Sequence, residues 1–230
     1  MKPLRTILCS LLVVWLLAGV ALAETPPAKS TTSWYAATLA EDEKGGFLMV
    51  HFWSKGTLFR SEAVLAGRKI VTIVDATTYY IIDEVSGRGL AIERAEAAQA
   101  LDAKAGRPFG NEFEDLVRDG GEFVGREKAG GQTVDVYRVT DDRGRRTVWT
   151  STGKPVVPLR VETYDRGSAT TGTIDYVNWL HNPVIAESFF APSPRIQIEK
   201  LSYAEYRKRI RAGPIGPAPV LYRHMLHGEG

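Results

Sequence analysis

The sequence predicts an α+β domain in which one long curved antiparallel β-sheet wraps around a central helical segment. Three observations predict it. From Trp34 onward, runs of β-branched and aromatic residues recur between turn signals. The connections are short, so neighbouring runs pair as antiparallel hairpins. One central stretch, 92–104, is instead rich in Ala, Glu, Gln and Leu, which favour helix.

Strands are expected at 34–41, 46–54, 57–66, 68–75 and 78–83. The breaks are Lys44-Gly45-Gly46, Lys55-Gly56, Ala66-Gly67 and Asp75-Ala76. The helix at 92–104 is interrupted by Gly106-Arg107-Pro108. A second helical piece at 109–118 places Phe109, Phe113, Leu116 and Val117 near one face, and Gly120-Gly121 closes it. Strands resume at 122–128, 132–140, 145–151, 156–164 and 169–179. Val157, Leu159 and Val161 alternate with Pro158, Arg160 and Glu162, as in a strand with one buried face. Asp141-Asp142-Arg143-Gly144 and Asp165-Arg166-Gly167-Ser168 are hairpin turns. This makes ten strands. No 20–50-residue repeat is visible, which disfavours solenoids and propellers.

At 230 residues, with 44% apolar and 24% charged, the chain suits one ordinary domain. Residues 1–23 read as an export signal. Lys2 and Arg5 precede the uncharged stretch 7–20, and Ala21-Leu22-Ala23 follows as a cleavage site. A periplasmic location is therefore expected. Those two basic residues account for the whole net charge of +2, so the cleaved protein is neutral and offers nucleic acid no basic field. The lone cysteine, Cys9, leaves with the signal, and disulfides, thiolate metal sites and a Cys nucleophile leave with it. Residues 24–33 form a polar leader, 34–200 the sheet domain, and 201–230 a basic helix plus a Pro/Gly-rich tail. The tail reads either as a mobile appendage or as a segment that docks.

No catalytic constellation is present. No G-x-S-x-G motif, Walker loop or G-x-G-x-x-G fingerprint occurs. Asp83/Glu84 and Asp141/Asp142 are neighbours that point to opposite faces and make no working acid pair. His224-x-x-His227 lacks the further ligands that zinc needs and reads as part of a solvated tail. His51 reads as a tucked or edge histidine. No enzyme, metal or cofactor is expected. The aromatics Trp34, Trp53, Trp149, Trp179, Tyr79, Tyr80, Tyr137 and Tyr176 lie mostly on strands. They either fill the core or line a cavity.

Several motifs carry a resemblance. Residues 52–60 (FWSKGTLFR) form a tryptophan-bearing strand, a turn and an apolar-Arg pair. Val124-Gly125-Arg126-Glu127 is followed by Val134-Asp135-Val136-Tyr137-Arg138-Val139. Val148-Trp149-Thr150-Ser151 leads to Pro158-Leu159-Arg160-Val161-Glu162, and Phe189-Phe190-Ala191-Pro192 comes last. Their order over 34–200 resembles the periplasmic lipoprotein carriers of the LolA type. The resemblance implies a half-barrel closed by helices, with an apolar cavity for acyl chains of lipids or lipoproteins, and no catalysis. In those carriers an early arginine helps hold a lid closed. Lys55 stands at that position, and lysine lacks the planar fork for bidentate bonding.

The expected function is an exported, monomeric lipid or lipoprotein carrier. The expected cavity residues are Met49, Trp53, Leu58, Ile73, Tyr79, Ile81, Trp149, Leu159, Val161, Ile174 and Tyr176. Lys55 and Arg60 would hold a head group at the mouth. Arg207, Lys208, Arg209 and Arg211 would contact a membrane surface or an envelope protein. The alternative is an interaction or sensor module of the same fold with a filled interior.

Overall fold

The computed structural model describes residues 32–41, 45–102 and 107–228. The export signal and most of the leader lie outside them. Two meanders supply most of the sheet. The first comprises β1 (Ser33–Glu41), β2 (Phe47–Lys55), β3 (Leu58–Leu65), β4 (Arg68–Val74), β5 (Thr78–Asp83) and β6 (Arg88–Glu93). Helices α1 (Glu96–Asp102) and α2 (Glu112–Arg118) follow. The second meander is β7 (Glu122–Ala129), β8 (Gln132–Thr140), β9 (Gly144–Ser151), β10 (Pro158–Asp165) and β11 (Thr170–His181). A 3-10 turn at Glu187–Phe190 leads to β12 (Gln197–Leu201), α3 (Tyr203–Ile210) and α4 (Arg223–His227).

Among the described residues these form one open 12-stranded sheet, ordered β12-β6-β5-β4-β3-β2-β1-β11-β10-β9-β8-β7. The two meanders join where β1 pairs antiparallel with β11. The only parallel pair among the described strands is β12 with β6. Aspartates build the tight turns. Asp75 Oδ1 accepts from the Thr77 and Thr78 amides, Asp141 Oδ1 from Arg143 and Gly144, and Asp165 Oδ1 from Ser168. The β7 edge is exposed along almost its whole length. A bulge at Gly125 and the charges of Arg126 and Lys128 blunt it against further pairing.

The sequence expectation missed two strands. Residues 88–93 form β6, so Ile92 and Glu93 end a strand instead of opening a helix, and β12 was not foreseen. The central helical segment is two short helices with Arg107-Pro108-Phe109 between them, and α2 begins at Glu112.

The two faces of the sheet are covered differently. On one, here the helix face, α2 and the C-terminal segment pack over Phe59, Tyr79, Ile81, Ile92, Val148 and Val161, and α1 packs on α4. The other is crossed by residues 183–196, a strap from β11 towards β12. Its Phe190, with Phe189 and Ile185, buries Val71, Ile73 and Ile82. β4, β5 and β6 are therefore covered on both faces along most of their length.

The tail docks on the domain. Met225 is 6% exposed and Leu226 fully buried, while Ile215, Ala218, Val220 and Tyr222 pack half-buried against the same core. His227, read from the sequence as part of a solvated tail, is buried and shares a 2.9 Å hydrogen bond with the Tyr203 hydroxyl.

Candidate functional site

A row of rings crosses the helix face. Tyr222 meets Phe59 edge-on at 5.1 Å, and Phe52 stacks on Phe109 at 5.3 Å. Phe109 stacks on Trp179 at 5.8 Å, and Trp179 on Tyr176 at 4.9 Å. Arg107 lies between two of these walls, its guanidinium carbon 5.2 Å from the Trp34 ring and 5.4 Å from that of Trp179. It donates to the carbonyls of Phe109 and Gly110. Gly110 has a φ of +69°, and any Cβ there would strike the Trp179 indole, so the turn into α2 needs glycine.

Tyr176 donates to Glu112 Oε1 at 2.7 Å, and Glu112 Oε2 has no hydrogen-bond partner among the described residues. Burial pushes the Glu112 carboxyl above its ordinary value. Burial and the neighbouring carboxylate together push the Tyr176 hydroxyl far up. An unfolded glutamate titrates near pH ~4.3. A group that binds its proton more tightly when folded stabilises the fold below that value, and the stabilisation is lost as pH rises through the folded value. Glu112→Gln keeps the acceptor for Tyr176 and cannot ionise. It should raise the melting temperature near neutral pH and leave it little changed near pH ~4. Thermal melts across that range check this, and a difference independent of pH would refute it.

Beside Arg107 lies a cavity of about 300 Å³. Ala98 and Leu101 of α1, Pro108, and Met225 of α4 form its apolar wall, and Asp102, Arg107, Asn111 and His224 add charged and polar groups. The β2–β3 turn, Gly56-Thr57, completes it. Among the described residues, no group of three or more His, Cys, Asp or Glu is arranged to hold a metal ion.

The eleven residues expected in one cavity divide between the two faces. Tyr79, Ile81, Val161 and Tyr176 are buried on the helix face, and Leu159 and Ile174 pack half-buried against the same core. Met49, Trp53, Leu58, Ile73 and Trp149 lie on the opposite face. Trp53 and Leu58 pack there against the cluster that holds Ile73 under the strap. The register Met49–Leu39–Asp175–Arg160–Trp149 runs along that face from β2 to β9. The helix-face residues of those strands are Phe52, Phe59, Val74 and Val148, one position away in each case. A one-residue choice inverts a whole strand.

Lys55 and Arg60, expected at a cavity mouth, are both engaged by the strap. Lys55 donates to the Ile185 carbonyl at 3.3 Å and pairs with Glu187 at 3.4 Å. Arg60 donates to the Phe189 carbonyl at 3.0 Å, lies 4.5 Å over the Phe189 ring and pairs with Glu62 at 2.6 Å. His51 sits on the same face, 3.0 Å from the Tyr35 hydroxyl. Arg207, Lys208 and Arg211 are exposed, whereas Arg209 pairs with Glu199 and Glu205. None of the eleven cavity residues lines the 300 Å³ cavity. Arg107 and Glu112 were not singled out, since no periodicity marks a buried charge, and His224 is weighed in the sequence only as a zinc ligand in a solvated tail.

No family model matches the sequence, and no curated protein matches it. Solved structures do. An uncharacterised conserved protein from Thermus thermophilus aligns over 75% of this chain and 92% of its own, at 11% identity and a TM-score of 0.52. A chain of the Pseudomonas aeruginosa MucA/MucB complex aligns over 75% of this chain and only 59% of its own, at 16% identity and a TM-score of 0.45. A candidate outer membrane lipoprotein-sorting protein domain from Vibrio parahaemolyticus aligns over 70% and 89%, at 15% identity and a TM-score of 0.32. The solved structures similar to this chain thus include a domain of the lipoprotein-sorting type, at low sequence identity. The similarity is one of fold.

Proposed function

We propose that this chain is an exported, monomeric, non-enzymatic binding module of half-barrel type that takes an acyl chain of a periplasmic lipid or lipoprotein. The observation that carries the reading is the cavity under α1 and α4. Its apolar wall of Ala98, Leu101, Pro108 and Met225 suits a hydrocarbon, and Asn111 and His224 suit a polar head. Its 300 Å³ is at the small end of ligand pockets, so it accepts one chain or chain end. Affinity would come from about 0.8 kcal/mol per buried CH₂.

Leu101 is 41% exposed, so replacing it disturbs the cavity wall more than the core. Leu101→Asp should weaken uptake of a fluorescent fatty acid at least tenfold, a loss of roughly 1.4 kcal/mol. Unchanged uptake in a folded variant would move the ligand elsewhere. Native mass spectrometry of protein purified from a periplasm, followed by solvent extraction, tests the reading as a whole. Co-purified lipid of defined mass supports it.

One observation favours a second reading. Tyr222, Met225, Leu226 and Phe109 fill much of the helix face with the chain's own side chains. An apo protein that takes up no fatty acid would favour a protein-interaction or sensor module.

A further inference from the structure

The basic run near the C-terminus becomes a directed surface in the fold. Ser202 caps α3, its hydroxyl accepting from the Glu205 amide at 3.2 Å. Tyr203 and Tyr206 then fix the rotation of the helix. Tyr206 is 2% exposed, and Tyr203 bonds His227 of α4. With that face turned inward, Ala204, Arg207, Lys208 and Arg211 fall at i, i+3, i+4 and i+7 on the outer face, and all four are exposed.

The two acids nearest the stripe are already engaged. Arg209 turns aside to bind Glu205 at 2.7 Å and Glu199 at 2.6 Å. Arg207, Lys208 and Arg211 have no ion-pair partner among the described residues. Ile210, on the Tyr203–Tyr206 side of the helix, is 44% exposed at its C-terminal end. Near the C-terminal end of α3 lies a groove of about 560 Å³, where Arg68, Arg88 and Arg209 share the wall with Glu199 and with apolar residues such as Leu90 and Ile198. Arg68 and Arg209 there are held by Asp83 and Glu199, while Arg88 is exposed and has no such partner among the described residues.

We propose that the outer face of α3, with the adjoining arginine-lined groove, docks on an anionic phospholipid surface. Three unpaired cations in one stripe, with Arg88 unpaired in the groove nearby, match a surface that presents phosphates. A neutral domain otherwise gives no general attraction to such a surface, so binding depends on this stripe. The proposal stands apart from what the cavity under α1 holds.

The test is flotation of the periplasmic protein with phosphatidylcholine vesicles, with and without phosphatidylglycerol. Wild type should bind only the phosphatidylglycerol vesicles and be released by salt. Reversing three exposed charges, Arg207→Glu, Lys208→Glu and Arg211→Glu, should weaken that binding by roughly a hundredfold or more. The melting temperature should fall only modestly, because none of the three forms an ion pair among the described residues and the cost is that of acids at the C-terminal end of α3. Arg88→Ala should weaken binding by several-fold. Wild type that ignores phosphatidylglycerol vesicles, or a folded triple variant that binds like wild type, overturns the proposal.

Discussion

Replacing Arg94 by methionine should destabilise the protein by about 3–5 kcal/mol. The Arg94 side chain is fully buried and joins three parts of the chain. Its Nε donates to the Met225 carbonyl of α4 at 2.7 Å. Nη1 donates to the Asp75 carbonyl in the β4–β5 turn at 2.8 Å, and both terminal nitrogens hold Asp102 of α1 at 2.6 and 2.8 Å. Methionine fills the space and satisfies none of these acceptors. Asp102 is left with a partly buried, uncompensated charge, and the carbonyls lose their donor. Lysine should fare little better, since one ammonium cannot reach acceptors disposed around a planar fork. Urea denaturation of wild type, Arg94→Met and Arg94→Lys measures this. A loss below about 1 kcal/mol would mean that the arginine is dispensable.

Ending the chain after Ala212 should have the larger effect. Met225 and Leu226 are buried, and each contributes roughly 1.5–3 kcal/mol by burial alone. Tyr222 covers Phe52 and Phe59, and its amide donates to the Tyr79 hydroxyl at 3.3 Å. Arg94 would also lose its Met225 acceptor. The sum is comparable with the whole stability of an ordinary domain, about 5–15 kcal/mol. The truncated chain should bind a hydrophobic dye, lose near-ultraviolet circular dichroism and show no cooperative melt. A sharp melt at the wild-type temperature would contradict the packing described for the tail.

Strand positions were legible wherever one face is wet. β10 reads correctly because Arg160 and Glu162 face away from the core that holds Val161. The choice of face failed in β2, β3, β4 and β9, and in β4 the physical reason is plain. Five consecutive residues at the end of β4 are buried, so alternation no longer says which side the helices cover. β6 was missed for the same reason, since Gly89, Leu90, Ala91 and Ile92 are all buried and run straight on towards an alanine-rich helix. Nothing in the sequence announces the strap, because its effect depends on Phe189 and Phe190 meeting residues more than a hundred positions earlier, Arg60 among them. The cavity under α1 is equally illegible. It is formed by α1, a turn and α4, segments distant in sequence whose convergence only the fold supplies.

The route taken by the last segments bears on how fast the chain can fold. After β11 it passes behind the sheet as the strap, rounds the β12 edge and returns across the helix face. The hydrogen bonds that fasten this route join residues 150, 143, 131 and 130 positions apart: Ser33 to Pro183, Tyr79 to Tyr222, Arg94 to Met225 and Lys55 to Ile185. Each closure must meet its loop entropy before its contacts repay it, which makes such topologies slow. The first meander is made early, but one face waits for the strap at 183–196 and part of the other waits for the tail. Folding of the first meander should therefore be completed only after the tail has been made, however early its own strands are available.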